Sequence, residues 1–582
     1  MNPLTTTSAK AVESLPARTR LSDLLNLLYS TEVATKTSNR LIELASQFSG
    51  AAQQHQNIPI KNNGNGAMLI TYADTIRDND MEPLLALTQF LNQQIGDAIQ
   101  SVHLLPFYPS SSDDGFAVTD YRRVDHHIGN WQQVAELSQH YDLMFDLVIN
   151  HCSREHLWFA DFIGGRDPGK GYFITLPEGS DTSAVVRPRS SPLISDVQTY
   201  AGIRHVWTTF SADQVDLDFS NPEVLVELIS ILFFYIQRGC GLIRLDAVAF
   251  LWKRLGSNCM SLPETHVVVK ILRLLVEIAG HQTILITETN VPHEENISYY
   301  GNGDETHGVY QFSLAPLLLY SYTFGDASAL TRWAQQLAPP PSGCFALNFM
   351  ASHDGIGLRP LEGLIDDSGV DALVEKMHER GAFSSMRDIG NGTQRPYEIN
   401  ISLFSAFGGT RQSLPAYLGA HALLLAFQGM PGLYIHSLLA SRNDLAKVEE
   451  TGRTRSINRG TLQLKALEAD LANADSVRSQ VLDFLTRALR RRTEQPAFAL
   501  SADQQVLTVA PTLVAFKRKS REQTILVVAS VVPNTQELTA DLLEIDPGDY
   551  QCELHQRDVA IDPTLTLNAY QVYWLNLTNA SP

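Results

Sequence analysis

The feature that most constrains this chain is a train of short apolar runs separated by longer amphipathic stretches. The runs are Met68–Tyr72, Val102–Phe107, Met144–Ile149, Gly241–Ala247, Thr283–Thr289, Val309–Ser313, Cys344–Met350 and Pro431–His436. Runs of this length are typical of strands buried on both faces, and helical crossovers between them imply parallel pairing. Eight such units can close into a (β/α)8 barrel. Periodicity alone also allows an open doubly wound sheet. Two spacers are too long for a single helix: His151 to about Arg204, and about Gly355 to Pro415. Each follows a strand, so in a barrel both would lie on the C-terminal face, where active sites are built.

The flanks differ from the middle. Leu21, Leu24, Leu25 and Leu28 recur at helical spacing, and His55 to Gly66 is polar and linker-like. Past residue 500 the segments Gln505–Phe516, Thr524–Val531, Tyr550–Leu554 and Ala569–Leu577 read as strands. The expected organisation is an N-terminal helical extension and linker over 1–66, a barrel over 67–499 and an antiparallel β-domain over 500–582. The barrel carries insertions at about 152–205 after strand 3 and about 355–415 after strand 7.

Composition narrows the function. A net charge of −19 argues against a nucleic-acid partner, because phosphate would be repelled on the scale of the whole protein. The five cysteines are widely spaced with no CxxC, which argues against a disulfide framework or a zinc site. The N-terminus lacks the apolar core of a signal peptide, and the longest apolar run, Val224 to Ile236, is broken by Glu227. A cytoplasmic enzyme with no membrane span is expected. There is no phosphate loop and no dinucleotide fingerprint after a strand, so no cofactor is expected.

Polar residues close the predicted strands. Strand 3 ends in Asp146 to His151, strand 4 holds Arg244 and Asp246, strand 5 ends at Glu288, and strand 7 ends in His353 and Asp354. A single carboxylate there could simply cap the next helix. Four such groups at one end of a barrel converge on a common pocket. Retaining glycosidic cleavage needs two carboxyl groups about 5–5.5 Å apart. Arg244, two residues before Asp246 on the same strand face, favours an ionised nucleophile. Glu288 lies beside Ile286, where desolvation favours an acid. Asp354 could stabilise charge on the sugar ring, and His151 and His353 could donate to hydroxyls. No His pair has metal-ligand spacing, so no metal is expected.

The segments DLVINH (146–151), GLIRLDAV (241–248), ITET (286–289) and NFMASHD (348–354) resemble, in order, the four signature regions of glycoside hydrolase family 13, the α-amylase superfamily. The resemblance covers roughly residues 67 to 580. It implies the closed barrel, with Asp246 as nucleophile, Glu288 as acid/base and Asp354 as transition-state stabiliser. HLLPFYPSSSDDGFAVTDY (103–121), VVRPR (185–189) and GRTRSINR (452–459) look like the sucrose phosphorylase subfamily. That implies a closed glucose pocket in which Asp113 and Arg455 hold the 4-hydroxyl and His151 the 6-hydroxyl.

The second insertion departs from sucrose phosphorylase proper. RPYEIN (395–400) stands where a Tyr-Gln pair precedes an Asn, and with ITETNVPHEEN (286–296) it looks more like the branch acting on glucosylglycerate or glucosylglycerol. The expected activity is therefore a retaining α-glucoside phosphorylase that yields α-glucose 1-phosphate. Sucrose or sucrose 6′-phosphate phosphorylase, an α-glucosidase or transglucosidase, and a non-catalytic barrel of the transporter heavy-chain type are the alternatives. Arg187, Arg189, Arg387, Arg395, Tyr397 and Glu398 are the candidates for binding phosphate or the acceptor.

Overall fold

The computed structural model describes residues 15–49, 64–189, 191–388 and 394–578. Its centre is a closed barrel of parallel strands. They are β1 (Met68–Thr71), β2 (Ser101–Leu104), β3 (Asp142–Val148), β4 (Cys240–Asp246), β5 (Ile284–Thr287), β6 (Gly308–Gln311), β7 (Phe345–Phe349) and β8 (Met430–Tyr434). Each pairs with its neighbours in sequence, and β1 closes the ring on β8 through Met68–Gly432 and Ile70–Tyr434. The closed ring decides between the two topologies that periodicity left open. All eight expected strands are present.

Alternation along each strand sorts the side chains. Met68, Met144, Leu242, Ile284, Ile286, Tyr310, Phe345, Leu347, Phe349 and Met430 form one apolar cluster inside the ring. Residues between them, such as Phe145, Leu147, Ile243, Leu245 and Leu285, belong to the larger core outside it. Side chains of period two can alternate only this way between the lumen and the helical layer.

Between β3 and β4 the chain makes the first excursion. His151–Ser153 pairs with Gln214–Asp216, and a small antiparallel sheet joins Thr175–Leu176, Gly202–Trp207 and Ile194–Thr199. This excursion therefore runs to Asp216, past the expected end near 205. The second, between β7 and β8, forms a sheet of Ile356–Gly357, Gln394–Asn400 and Phe383–Asp388.

The N-terminal helices Leu15–Leu28 and Thr31–Phe48 pack on the barrel helices Pro222–Gln237 and Pro263–Ile278. Most of the expected linker lies outside the described residues.

Beyond the barrel, a six-stranded antiparallel sheet runs in the order β9 (Asp503–Leu507), β10 (Leu513–Lys519), β11 (Thr524–Ser530), β16 (Val572–Asn576), β13 (Gly548–Cys552) and β14 (Arg557–Ile561). β12 (Gln536–Thr539) and β15 (Thr564–Leu567) form a separate pair. The run Gln505–Phe516, expected as one strand, is a hairpin. β12, β14 and β15 escaped the sequence reading because they are short and half polar.

Two buried arginines fasten this region to the barrel floor. Arg492 donates to Leu425 O at 2.7 Å, to Gly429 O at 3.0 Å, to Phe498 O at 3.2 Å and to Asn65 O. Arg518 donates to Ala426 O and Ala499 O, each at 2.9 Å. Arg492→Met keeps most of the volume and strips these carbonyls of their donor. It is expected to cost about 3 kcal/mol or more, read as a lower melting temperature by differential scanning calorimetry.

Candidate active site

The lumen is not apolar throughout. On β4, Leu242, Arg244 and Asp246 share the inward face, and the register sets Arg244 opposite Asp146 of β3 and Ile286 of β5. One step further round, His103 of β2 faces inward as well. Arg244 is 2% exposed. Its Nη1 donates to Asp246 Oδ1 at 2.8 Å and to Asp146, while Nη2 lies 3.6 Å from Glu288 Oε2. Asp146 also takes His103 Nε2 at 2.6 Å. The guanidinium is sandwiched between the rings of Phe116 and Tyr310, each at 5.6 Å.

Asp246 and Glu288 thus stand within reach of one cation. Burial, then the neighbouring carboxylates, pushes Asp246 upward, with Arg244 opposing. Burial likewise raises Glu288. Two coupled buried carboxyl groups titrate as a pair. Arg244 bonds Asp246 directly and stands farther from Glu288, a geometry that favours the charge on Asp246. Ala247, next after Asp246, adopts a left-handed backbone (φ 52°) and points its N–H at Glu288 Oε2 from 3.4 Å.

A second cluster lies across the cleft. Arg455, from the segment after β8, is clamped between Asp354 and Glu398, with its Nε 2.9 Å from Glu398 Oε1. Glu398 also accepts from Gly355 N at 3.1 Å. Burial opposes ionisation of Asp354, but Arg455, with His353, Arg459 and Arg244, overcomes it and holds the carboxyl well below its usual range. His353 stacks on Phe116 with centroids 5.0 Å apart. Burial keeps it neutral, and its Nδ1 has no partner among the described residues.

The Asp113-Asp114-Gly115 turn is left-handed at three successive residues, with φ of 55°, 49° and 107°. Asp and Gly tolerate this backbone best. At Gly115 a Cβ would lie 2.5 Å from Pro106 O, so only glycine fits. The turn sends Asp113 to Gln214 Nε2 at 3.2 Å and Asp114 to Arg459. Gln214 Nε2 is also 3.1 Å from His151 Nε2. Burial lowers His151, so it too is neutral.

These groups line one cavity of about 780 Å³ at the C-terminal mouth of the barrel. Arg187, Arg189, Arg387, Tyr397 and Glu398 line its outer part. Arg395 does not. It pairs with exposed Asp367 and lines a neighbouring cavity, so the expectation that it serves phosphate or acceptor is corrected. The ion pair with Asp367 holds Arg395 in that neighbouring cavity, which Arg387 and Arg359 also line. Arg387 is tied to Glu362. Among the described residues, Arg187 and Arg189 have no ion-pair partner. Residues missed in the sequence also face the cleft: Phe116, Gln214, Asn290 and Arg359. Phe116 was within reach through its place in the SSSDDGF segment; the others carry no local signal. The described group with metal-ligand spacing is Asp125, His126 and His127, and none of these lines the cleft.

A model of the α-amylase catalytic domain matches residues 89–354. A glucosylglycerate phosphorylase of Spirochaeta thermophila is 38% identical over 578 residues, covering 96% of this chain and 98% of that one. The chain belongs to the α-amylase family, among its glucoside phosphorylases. Within the family, a glucosylglycerate phosphorylase of Allomeiothermus silvanus is 43% identical over 448 residues, covering 76% of this chain and 80% of that one. The crystal structure of sucrose 6F-phosphate phosphorylase from Thermoanaerobacter thermosaccharolyticum aligns with a TM-score of 0.72 at 26% identity, over 80% of this chain and 94% of that one. The α-amylase family barrel is thus shared with that phosphorylase.

Removing the central cation tests the network. Arg244→Met would leave Asp146, Asp246 and Glu288 buried without their shared counter-charge, at an expected cost of roughly 3–5 kcal/mol. Asp246 and Glu288 would then rise further above their unfolded values, and Asp146, which Arg244 and His103 hold low, would rise as well. A carboxyl raised on folding loses stability as pH rises from about 4 toward its folded pKa. The deficit against wild type should therefore grow from pH 5 to pH 8 in thermal unfolding.

Proposed function

We propose that this glucoside phosphorylase acts on 2-O-α-glucosylglycerate. Asp246 would be the nucleophile, Glu288 the acid/base and Asp354 the stabiliser of charge on the ring. The observation that carries the reading is Arg244, which reaches Asp246 and Glu288 with one guanidinium. Two carboxyl groups drawn to one guanidinium suit a double displacement, which needs the pair about 5–5.5 Å apart. Relatives named glucosylglycerate phosphorylase match this chain at 38% and 43% identity, which favours glycerate over fructose as the leaving alcohol.

In the first step Glu288 gives its proton to the glycosidic oxygen, Asp246 attacks C1, and the C1–O bond breaks. Glycerate leaves carrying that proton, and a β-glucosyl ester remains on Asp246. In the second step a phosphate oxygen attacks C1, the ester bond breaks, and any proton lost by phosphate passes to Glu288. The product is α-glucose 1-phosphate. The glucose ring would sit on Phe116 and His353, with Asp113, Arg455 and His151 on its hydroxyls. Arg187 and Arg189, without ion-pair partners among the described residues, could draw phosphate into a protein of net charge −19. Cytoplasmic placement rests on five buried, unpaired cysteines; no described helix is long and apolar enough to cross a membrane.

The test is phosphate release from α-glucose 1-phosphate with glycerate, glycerol, fructose, fructose 6-phosphate or water. Release that depends on glycerate is expected. Equal release with and without acceptor would favour a hydrolase. Asp246→Asn is expected to lose at least ~4 kcal/mol of transition-state stabilisation, about 10³-fold in rate. Near-normal phosphorolysis by that variant would refute the assignment.

The raised Glu288 gives a pH test. The kcat/KM for the glucoside should fall as pH rises through the Glu288 pKa, above the ordinary carboxylate range. That limb should vanish with α-glucosyl fluoride, whose leaving group needs no proton. Persistence of the limb would remove Glu288 from the acid role.

A further inference from the structure

The wall of the cleft holds a cation that the mechanism above does not use. Arg359 follows Asp354 by five residues, in a single 3-10 turn over Arg359–Leu361. It is half-buried and lines the main cavity. Among the described residues it forms no ion pair, and its Nε is buried with no hydrogen-bond partner. A buried guanidinium N–H without an acceptor is costly, and such groups are rare unless a ligand completes them. The other cleft-lining cations inside the site are already committed: Arg244 to Asp146 and Asp246, Arg455 to Asp354 and Glu398, Arg387 to Glu362.

The position is rigid. Ile356 and Gly357 pair with Ile399 and Glu398, and Leu358 N donates to Tyr397 O at 3.0 Å. Arg359 is thus anchored to the strand that carries Glu398. Arg187 and Arg189 lie on a loop of the first excursion instead. Beside Arg359's strand sits Asn290, which follows the β5 end. A Cβ on Gly357 would come within 2.8 Å of the Asn290 side-chain amide, so glycine leaves room for that side chain against the strand. Asn290 donates to Tyr397 Oη at 3.2 Å, and its own Oδ1 is buried with no partner. The wall therefore offers one orphaned guanidinium donor and one orphaned amide acceptor.

We infer that Arg359 binds the carboxylate of the leaving alcohol, with Asn290 Oδ1 taking a hydroxyl, so that this wall selects a small hydroxy acid. The inference rests on the glucosylglycerate reading. Inorganic phosphate shares the anionic chemistry, and the experiment separates the two sources.

Wild type, Arg359→Gln and Arg359→Lys would be compared with glycerate and with glycerol as acceptors of glucose from α-glucose 1-phosphate. The KM for phosphate would be measured with α-glucosylglycerol, a donor without a carboxylate. In Arg359→Gln the glycerate-to-glycerol ratio of kcat/KM is expected to fall roughly tenfold to a hundredfold, mostly through KM, with partial recovery in Arg359→Lys. Turnover of glycerol reports that the variant is folded. An unchanged ratio, or a loss confined to the KM for phosphate, would overturn the inference and leave the acceptor reading standing. Wild type that does not prefer glycerate would overturn the acceptor reading, and the inference with it.

Discussion

The Arg244 guanidinium is the interaction on which this site depends. Three carboxylates and a histidine would not be retained in the lumen of a barrel without a counter-ion, since burying an unpaired charge costs several kcal/mol per ion. Arg244 pairs with Asp146 and Asp246 and lies 3.6 Å from Glu288, while His103 bonds the other oxygen of Asp146. The same placement gives two like groups unlike roles. In the proposed mechanism the carboxylate bonded directly to the cation carries the charge and the one farther off the proton. Chemistry follows from an electrostatic asymmetry set by strand register, with Arg244 directly across from Asp146.

Around that fixed centre the protein distributes the remaining tasks by rigidity. Groups that meet the reacting carbon sit on strand ends or one residue beyond. Groups that meet the sugar are brought by turns under backbone strain, the Asp113-Asp114-Gly115 turn above all. Groups that meet anions come from the two excursions and from the segment after β7. This order suits an overall acidic molecule, where the field far from the cleft repels phosphate and the local cations must outweigh it.

Strands and the groups at their ends were legible in the sequence because both depend on local pattern. Period two on β4 puts Leu242, Arg244 and Asp246 on one face, and no tertiary knowledge is needed to see it. The hub as a whole was only half visible. Asp146 stood out at the end of an apolar run, but His103 looked like any polar residue within HLLPF. Gln214 joins Asp113 and His151 across a hundred residues of chain, and no spacing foretells that. Arg395 shows the reverse failure: it belongs to a suggestive segment, yet it pairs with Asp367 outside the main cleft. Arg359 was passed over because a single arginine after a strand has no pattern. Only the folded wall reveals that it lacks a partner.

The central claim is that glucose is held covalently by Asp246. The most direct measurement is to load Glu288→Gln with α-glucosyl fluoride, digest it quickly at low pH, and locate any glucosyl adduct by mass spectrometry. The account requires one glucosyl group on the peptide containing Asp246, lost again when phosphate is added, with α-glucose 1-phosphate released. An adduct on another residue, or β-glucose 1-phosphate as the product, would contradict it.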